Sequence, residues 1–250
     1  MTLLLAAIPA PLAAQGLEID IEAFIHAMVY KHGFNRQELR NTFRGVQPKP
    51  EVLSVAPPEA KPWREFRAAT VSREQTDSGV KFWAIYEKSL DRVSAEYGVP
   101  QEIIVATVGV ASRYGHRIGG FRAIDVLTTL AFQHKRRADF YRGELEEYLL
   151  LARETRLDPL RIRGTASGAI GISQFLPSAY RKYAKDLDGN GKPDLVNSVP
   201  DAAVSIANSY RINGWKTGEP VAVRAEVSAA ALSGMNRTDL EPRATVAELQ

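Results

Sequence analysis

The segment from residue 100 to residue 113 places the strongest limit on the fold, because it is a helix-length run that is apolar on most of its sides. Such a helix is normally buried at the centre of a domain rather than laid on its surface. Pro100 suits the first helical turn, since its ring holds the backbone angle that a helix start requires. The apolar positions are Ile103, Ile104, Val105, Ala106, Val108 and Val110. Other helices must therefore surround this segment.

Helical spacing recurs on both sides of the apolar segment. From 78 to 97, apolar side chains follow one another at intervals of three and four, which predicts a helix that Gly98 ends. We expect further helices over 122–133 and 138–156, and a helix-like stretch over 19–46. The proline-rich run 47–63 predicts an extended connector that lies over the surface.

Small residues dominate the segment from 160 to 176, where Gly, Ala and Ser recur. Such residues let the backbone approach a second backbone or a ligand closely. Taken with the helical segments, this pattern predicts a mainly α fold.

Composition narrows the class of function. Of 250 residues, 45% are hydrophobic, which is ordinary for a soluble protein of one large or two small domains. Lys and Arg number 32 against 29 for Asp and Glu, and only 135–137 is a basic cluster. Nucleic-acid binding needs a clustered basic face with stacking aromatics, so we expect no nucleic-acid partner. The lack of cysteine excludes disulfides, thiolate zinc sites, cysteine nucleophiles and a lipid-modified N-terminal cysteine.

The first fifteen residues resemble a secretory signal in their apolar character and in the small residues Ala13 and Ala14. No Lys or Arg precedes Lys31, however, so we interpret 1–15 as a signal-peptide remnant, with an N-terminal hydrophobic arm as the alternative. No later stretch is apolar for long enough to span a bilayer. We expect a soluble, monomeric protein in the periplasm or another extracytoplasmic space.

The clearest local motif is DLDGNGKPDLVNSVPD at 186–201. Asp186, Asp188 and Asn190 stand at positions one, three and five of an EF-hand-type loop, and Lys192 can offer its carbonyl at position seven. Position twelve holds Asn197 instead of the usual acid, so Asp201 would have to close the loop. An Asp/Gly turn without an ion is the alternative. A calcium sensor usually carries paired loops and a Met-rich groove, whereas this chain has one loop and three methionines, which favours a structural ion.

Several catalytic templates do not fit. GISQF at 171–175 lacks the second glycine of a nucleophile elbow, and GNGK at 189–192 is too short for a phosphate loop. The four histidines show no metal-ligand spacing. Gln174 either hydrogen-bonds a polar ligand or caps a helix. Arg136 and Arg137 form either a solvated helix end or part of a cleft for an anionic ligand.

In their order along the chain, four segments resemble the exported lytic murein transglycosylases of the B type, and the resemblance runs from about residue 20 to about residue 224. The segments are GVKFWAIYEKSLDRVSAEYGVPQEIIVATVGVASRYG at 79–115, RAIDVLTTLAFQHKRRADFYRGELEEYLLLARE at 122–154, GTASGAIGISQFLPSAYRKYAKDLDGNGKPDL at 164–195 and SIANSYRINGW at 205–215. The resemblance implies a mainly α, lysozyme-like catalytic core with one EF-hand-like calcium loop, acting on the glycan strands of bacterial peptidoglycan.

The resemblance also implies a mechanism. In that family a glutamate at the end of the buried helix protonates the glycosidic oxygen between N-acetylmuramic acid and N-acetylglucosamine. It then accepts a proton from the sugar's own C6 hydroxyl, which closes a 1,6-anhydro ring. Because the nucleophile belongs to the substrate, one carboxyl group suffices where ordinary glycosidases need two. An apolar pocket has to keep that carboxyl group protonated.

Ala111 stands where the family has this glutamate, within an otherwise matching frame of Gly109, Val110, Ser112, Arg113, Tyr114 and Gly115. A methyl group neither gives nor takes a proton, and such catalysis contributes on the order of a hundred- to ten-thousand-fold. Glu102 lies roughly 13 Å back along the helix, too far to substitute. We therefore expect this chain to be inactive or nearly so.

The resemblance assigns further residues. Arg136 and Arg137 match the arginine pair near the substrate's peptide stem, and Thr165 stands where the family has a cleft serine. Gln174 matches the glutamine that contacts the saccharide near the acid. Asn208 matches a cleft residue, while Ser209 stands where a cleft tyrosine is often found. The implied ion ligands are Asp186, Asp188, Asn190, the Lys192 carbonyl and Asp201.

The resemblance divides the chain into a catalytic domain over 16–224 and an incomplete segment over 225–250, because the family continues with a part that completes the cleft. We expect that tail to be poorly anchored. Three hypotheses follow: a lytic transglycosylase whose acid has been replaced, a non-catalytic protein that binds peptidoglycan, and a calcium-responsive interaction module. Ancestry favours the first, and the expected behaviour of this chain favours the second.

Overall fold

The computed structural model describes residues 12–54 and 62–222, and within these ranges the chain is mainly helical. Its elements are α1 (Leu12–His32), α2 (Arg36–Arg44), a 3-10 helix (Pro50–Ser54), α3 (Trp63–Thr70), α4 (Arg73–Tyr97), α5 (Gln101–Ser112), β1 (Phe121–Arg122), α6 (Ala123–Gln133), α7 (Ala138–Thr155), β2 (Arg163–Gly164), α8 (Pro177–Tyr183) and α9 (Val199–Ile212). The strands β1 and β2 pair antiparallel, with Phe121 opposite Gly164. The predicted mainly α class is confirmed, and α4, α5, α6 and α7 confirm the four helices expected between 78 and 156.

One compact unit extends through Trp215, and the residues after it belong to a second unit, in which 216–222 form turns and bends. Residues 1–11 of the predicted leader and the whole of the predicted tail 225–250 lie outside the described residues, so both stay predictions. Among the helices that the structure does describe, none combines the length and the apolar character that crossing a membrane requires.

Two hydrophobic cores hold the first unit together. The first joins α1, α2, α6 and α7, and the second joins α4, α5 and α9. Fully burying one aliphatic side chain stabilises a fold by roughly 1.5–3 kcal/mol, so each core fixes its helices firmly. Phe175 packs against both cores. The loop between β2 and α8 therefore lies where the two cores meet.

Two sequence expectations need correction at the N-terminal side. The helix-like stretch 19–46 is two helices, because Gly33 adopts a left-handed backbone with φ of 64° and Asn35 then caps α2. The connector 47–63 does not simply lie over the surface: Val52 is only 3% exposed. The backbone N–H of Gln47 donates to Asp125 Oδ1 at 2.9 Å, and that of Lys49 donates to Thr129 Oγ1 at 2.8 Å. Side chains of α6 thus satisfy the connector's amides, while 55–61 lies outside the described residues.

The apolar helix α5 is buried on one face only. Ile104, Val105 and Val108 lie in the second core, against which α4 and α9 pack. Val110 is 60% exposed and Ala106 is also exposed. The expectation of burial on most sides is therefore wrong for the face that carries Ala106 and Val110.

Candidate active site and calcium loop

The C-terminal end of α5 is a rigid frame around position 111. Arg113 leaves the helix in the left-handed conformation, with φ of 49°, and its N–H donates to the Gly109 carbonyl at 3.0 Å. Ser112 is fully buried, donates from Oγ to the Val108 carbonyl at 3.2 Å and accepts from the Gly115 N–H at 3.0 Å. These bonds satisfy groups that a helix end leaves free. Position 111 is therefore held in a well-defined last turn.

Tyr114 fastens this frame to α4. Its ring lies close to Gly79 and Gly109. A Cβ atom added to Gly79 would lie 2.5 Å from the Tyr114 hydroxyl, and one added to Gly109 would lie 2.6 Å from it. The hydroxyl donates to the Gln75 carbonyl at 3.2 Å, and the ring centroid lies 5.3 Å from that of Phe82. Burial raises the pKa of the Tyr114 phenol, which keeps it a donor. The motif's glycine and tyrosine thus have one shared purpose, which is close packing of α5 on α4.

Ala111 itself is half-buried in the last turn of α5. Its neighbour Val110 is exposed, so the helix end opens toward solvent on this side. Glu102 lies in the first turn of the same helix and is exposed, at the opposite end from Ala111. The side chain at the predicted catalytic position therefore carries no ionisable group, and its role in catalysis stays a prediction.

The small-residue loop lies against the segment that follows Ala111. A Cβ atom on Gly119 would overlap the Gly164 carbonyl, and it would lie 2.5 Å from the Thr165 nitrogen, so the two backbones are in contact. Thr165 shares a 2.9 Å hydrogen bond with the Ser167 hydroxyl and accepts from the Ala169 N–H at 3.2 Å. The structure thus places Thr165 beside Gly119, in the segment that follows α5. The Thr165 hydroxyl forms its hydrogen bonds within its own turn.

Gln174 lies in the same loop with a left-handed backbone at φ of 53°. Its Nε2 donates to the Gly171 carbonyl at 2.6 Å, and Leu176 is the residue that precedes α8. The alternative that Gln174 caps a helix is therefore wrong, because its amide closes a turn instead. In the described part of the chain, four non-glycine residues have positive φ, and Arg113, Tyr114 and Gln174 are three of them. Backbone strain of this kind concentrates at functional sites.

Asn208 is 2% exposed on α9, and its Nδ2 donates to the Tyr183 carbonyl at 2.9 Å. This bond ties α9 to the end of α8. Ser209 donates from Oγ to the Ile206 carbonyl at 2.7 Å, while the Tyr210 hydroxyl lies 3.0 Å from Thr107 Oγ1 on α5. The structure therefore gives Asn208 a structural bond, and its predicted role in substrate binding stays a prediction.

Arg136 and Arg137 lie on a separate turn, between α6 and α7, and both are exposed. The Arg137 guanidinium lies 4.3 Å from the ring centroid of Phe140 and 5.3 Å from that of Tyr141. Across 12–54 and 62–222, no carboxylate forms an ion pair with either arginine. Two unpaired cations side by side can recognise an anionic ligand.

Three carboxylates of the predicted calcium loop converge between α8 and α9. Asp186, Asp188 and Asp201 each offer an oxygen, and these oxygens all lie within 4.8 Å of one another. Asp201 is fully buried, and its oxygens accept from the backbone N–H groups of Leu187 at 2.9 Å and Asp194 at 3.0 Å. In the described part of the chain no side-chain cation pairs with any of the three. A buried carboxylate without a cation is costly, so the site fits a hard metal ion.

Backbone amides shape the exposed half of this loop. Asp186 accepts from the Gly189 N–H at 2.7 Å and from the Gly191 N–H at 2.6 Å, and Asn190 Oδ1 accepts from the Lys192 N–H at 2.9 Å. Burial alone would raise the pKa of Asp186. Hydrogen bonds from the amides of Gly191, Gly189 and Asn190 and from the Asp188 side chain together hold that pKa below its ordinary value. The lowered pKa favours the ionised form of Asp186, which is the form that binds a hard metal ion.

Tyr180 is a contributor that the sequence analysis missed. From α8 its hydroxyl donates to the Pro193 carbonyl at 3.0 Å and accepts from the Leu195 N–H at 2.8 Å. Burial raises the pKa of Tyr180 to about 12. The residue thus holds the second half of the calcium loop. Nothing in local spacing distinguishes it from an ordinary core tyrosine, because the bond partners come from a tertiary fold of the loop.

A model of the family described as "Transglycosylase SLT domain" matches residues 17–250. The chain belongs to this transglycosylase family. Within it, the chain is 40% identical over 225 residues to membrane-bound lytic murein transglycosylase B from Escherichia coli, covering 85% of this chain and 62% of that relative. It is thus a lytic murein transglycosylase B-like member that spans about three-fifths of that relative's length.

Solved structures of this family agree with the fold. The soluble lytic transglycosylase SltB1 from Pseudomonas aeruginosa is 40% identical, with a TM-score of 0.82 over 87% of this chain and 75% of that one. Escherichia coli Slt35 in complex with calcium is 39% identical, with a TM-score of 0.80 over 87% and 69%. Pseudomonas aeruginosa SltB3 in complex with NAG-NAM-pentapeptide is 30% identical, with a TM-score of 0.76 over 82% and 55%. The lysozyme-like fold expected from the sequence is confirmed.

Proposed function

We propose that this chain binds the glycan strands of peptidoglycan as a lytic transglycosylase does, and that its cleavage of them is strongly impaired. The single observation that carries the proposal is the α5 end, where the packed frame of Gly109, Ser112 and Tyr114 surrounds an alanine at position 111. The relatives' printed names and ligands support the substrate class.

The proposed reaction cleaves the β-1,4 bond between N-acetylmuramic acid and N-acetylglucosamine. One carboxyl group protonates the departing glycosidic oxygen. It then accepts the proton of the C6 hydroxyl while the C6 oxygen attacks C1. The product is 1,6-anhydro-N-acetylmuramic acid, and no water is consumed. Ala111 offers no such group, so the rate should fall by on the order of a hundred- to ten-thousand-fold.

The alternative is a pseudoenzyme that retains peptidoglycan binding without catalysis. It is favoured by the contrast between the missing acid and the preserved packing around it, since Tyr114 still fills the space that Gly79 and Gly109 leave. Packing of this kind serves a binding cleft as well as a catalytic one.

The test is the pair of variants Ala111→Glu and Ala111→Gln, incubated with purified sacculi. We expect the Glu variant to release 1,6-anhydromuropeptides, seen by mass spectrometry, at a rate at least about a hundredfold above the parent chain and the Gln variant. Gln has nearly the same shape but no titratable proton, which isolates the acid-base step. No release by the Glu variant, together with no co-sedimentation of the parent chain with sacculi, would overturn both forms of the proposal.

A structural calcium ion completes the proposal. Its ligands are Asp186, Asp188, Asn190, the Lys192 carbonyl and Asp201, supported by the converging carboxylates and by the calcium complex of Slt35. When bound, the ion neutralises clustered negative charge and fixes the connection between α8 and α9. Isothermal titration with calcium tests this, and a lack of measurable binding would remove the ion from the proposal.

Peptidoglycan lies outside the cytoplasm, so we place the chain in the periplasm or another extracytoplasmic space, as a monomer. Cell fractionation and size-exclusion chromatography test these two statements. Recovery in the cytosol, or elution at twice the monomer mass, would contradict them.

A further inference from the structure

We propose that His134 is a positioning residue that sets the turn carrying Arg136 and Arg137, and thereby sets the affinity for the carboxylate-bearing peptide stem of peptidoglycan. The inference rests on the proposed function, since the stem is the ligand of that same site. His134 itself need not touch the ligand.

His134 directly follows α6 and begins the turn that leads to α7. Its backbone is extended, with φ of −79° and ψ of 113°, and its N–H donates to the Leu130 carbonyl at 3.2 Å in the last turn of α6. Its ring Nδ1 accepts the backbone N–H of Arg136 at 3.2 Å and that of Arg137 at 3.1 Å. One imidazole nitrogen thus satisfies two backbone amides of the turn that leads into α7.

The same spacing of acceptor and donors occurs at Asn35, although Asn35 directly precedes α2 and His134 precedes α7 by four residues. Asn35 Oδ1 accepts from the N–H groups of Gln37 at 2.8 Å and Glu38 at 3.1 Å, again two and three residues ahead. Histidine can act in this way only when Nδ1 carries no proton, so the geometry assigns the proton of the neutral ring to Nε2. His134 therefore closes the turn between α6 and α7 through its side chain, as Asn or Asp side chains do in other turns.

Aromatic rings near His134 hold the side chain of Arg137. The Arg137 guanidinium lies over Phe140 and Tyr141, and the His134 ring centroid lies 5.7 Å from that of Tyr141. Tyr141 is buried, so it is a fixed reference for both. His134 holds the backbone of the turn and the rings hold the guanidinium. Recognition of a carboxylate by a planar guanidinium depends on orientation, so a loosened turn should weaken binding.

The experiment measures binding of GlcNAc-MurNAc-pentapeptide by isothermal titration calorimetry to the full chain and its variants. His134→Leu and His134→Ala remove the acceptor, and we expect each to weaken binding by about fivefold, which corresponds to the net effect of one ordinary hydrogen bond. His134→Asn restores an acceptor at the same place and should bind within about twofold of the parent chain. Arg137→Ala serves as the reference for loss of the anion contact itself.

Asn35→Ala is the matched control, because it removes a side-chain acceptor with the same spacing to its two amide donors, at the start of α2. It should lower the melting temperature by an amount similar to His134→Ala but leave ligand binding unchanged. If His134→Leu and His134→Ala bind like the parent chain while Arg137→Ala binds weakly, the proposed role of His134 is wrong and the proposed function stands. If His134→Asn is as weak as His134→Leu, the acceptor role is wrong. If the parent chain does not bind the muropeptide at all, the proposed function itself fails.

Discussion

The hydroxyl of Tyr114 donates a 3.2 Å hydrogen bond to the Gln75 carbonyl, which fastens the end of α5 to the first turn of α4. The ring reaches that carbonyl only because Gly79 and Gly109 leave room on the two helices. The position of residue 111 therefore depends on a contact between two helices as well as on the helix that carries it.

Gly109→Ala should destabilise the protein by about 1–3 kcal/mol, because the added methyl would overlap the Tyr114 ring and force repacking. Alanine normally favours a helix, so a measured loss of stability in urea unfolding would identify packing as the cause. Gly143→Ala on α7 is the control, since nothing lies within 4 Å of its added methyl, and it should be neutral or stabilising. Equal effects of the two substitutions would contradict the packing role of Tyr114.

Calcium should stabilise the fold, and Asp201→Asn should abolish most of that gain. Ligand at a hundred times its dissociation constant adds about 2.7 kcal/mol to the unfolding free energy. We expect thermal melts of the parent chain to shift on adding EDTA, and melts of the variant to be nearly insensitive to it. Asp158→Ala is the control, because Asp158 accepts from the Leu160 N–H at 2.9 Å in a turn outside the calcium loop. It should lower stability while retaining the calcium-dependent shift.

Tyr180→Phe should weaken calcium binding as well as stability. The substitution leaves the Pro193 carbonyl and the Leu195 N–H without the hydroxyl that joins them, at a cost of about 1–3 kcal/mol. Tyr148→Phe is matched to it, since this buried tyrosine donates to the Pro159 carbonyl at 2.6 Å, which is outside the calcium loop. Both variants should unfold more easily, and calorimetry should find reduced calcium affinity for Tyr180→Phe alone. Unchanged affinity would show that the loop's second half forms without this bond.

Asp125→Ala should detach the connector that follows α2. Asp125 is 1% exposed, pairs with Arg122 at 2.7 Å and accepts from the Gln47 N–H. Breaking a buried ion pair typically costs about 3–5 kcal/mol, and the Gln47 amide should exchange with deuterium faster than in the parent chain. Asp77→Ala removes the exposed partner of Arg73 and should change stability little. Unaltered exchange at Gln47 would mean that the connector is held by other contacts.

Several features could be predicted from the sequence because they rest on local spacing. The helices α4 to α7 follow from apolar periodicity, and the calcium loop follows from the order of Asp186, Asp188 and Asn190, which the fold brings together with Asp201. The prediction of an extended surface connector over 47–63 was wrong. It rested on the preference of proline for extended backbone, whereas the connector's amides donate to side chains of α6, which no local sequence pattern indicates.

The sequence by itself determined the helical class, the acidic loop and the identity of residue 111, since each is a matter of which residue stands where. Only the tertiary structure decided which face of α5 is buried, that Asn208 ties α9 to α8, and that Tyr180 holds the calcium loop. It also decided that His134 accepts the amides of the arginine turn. The reason is physical: hydrogen-bond partners and close contacts depend on distances between segments far apart in the chain, or on the path of a turn. Composition and periodicity do not specify those distances.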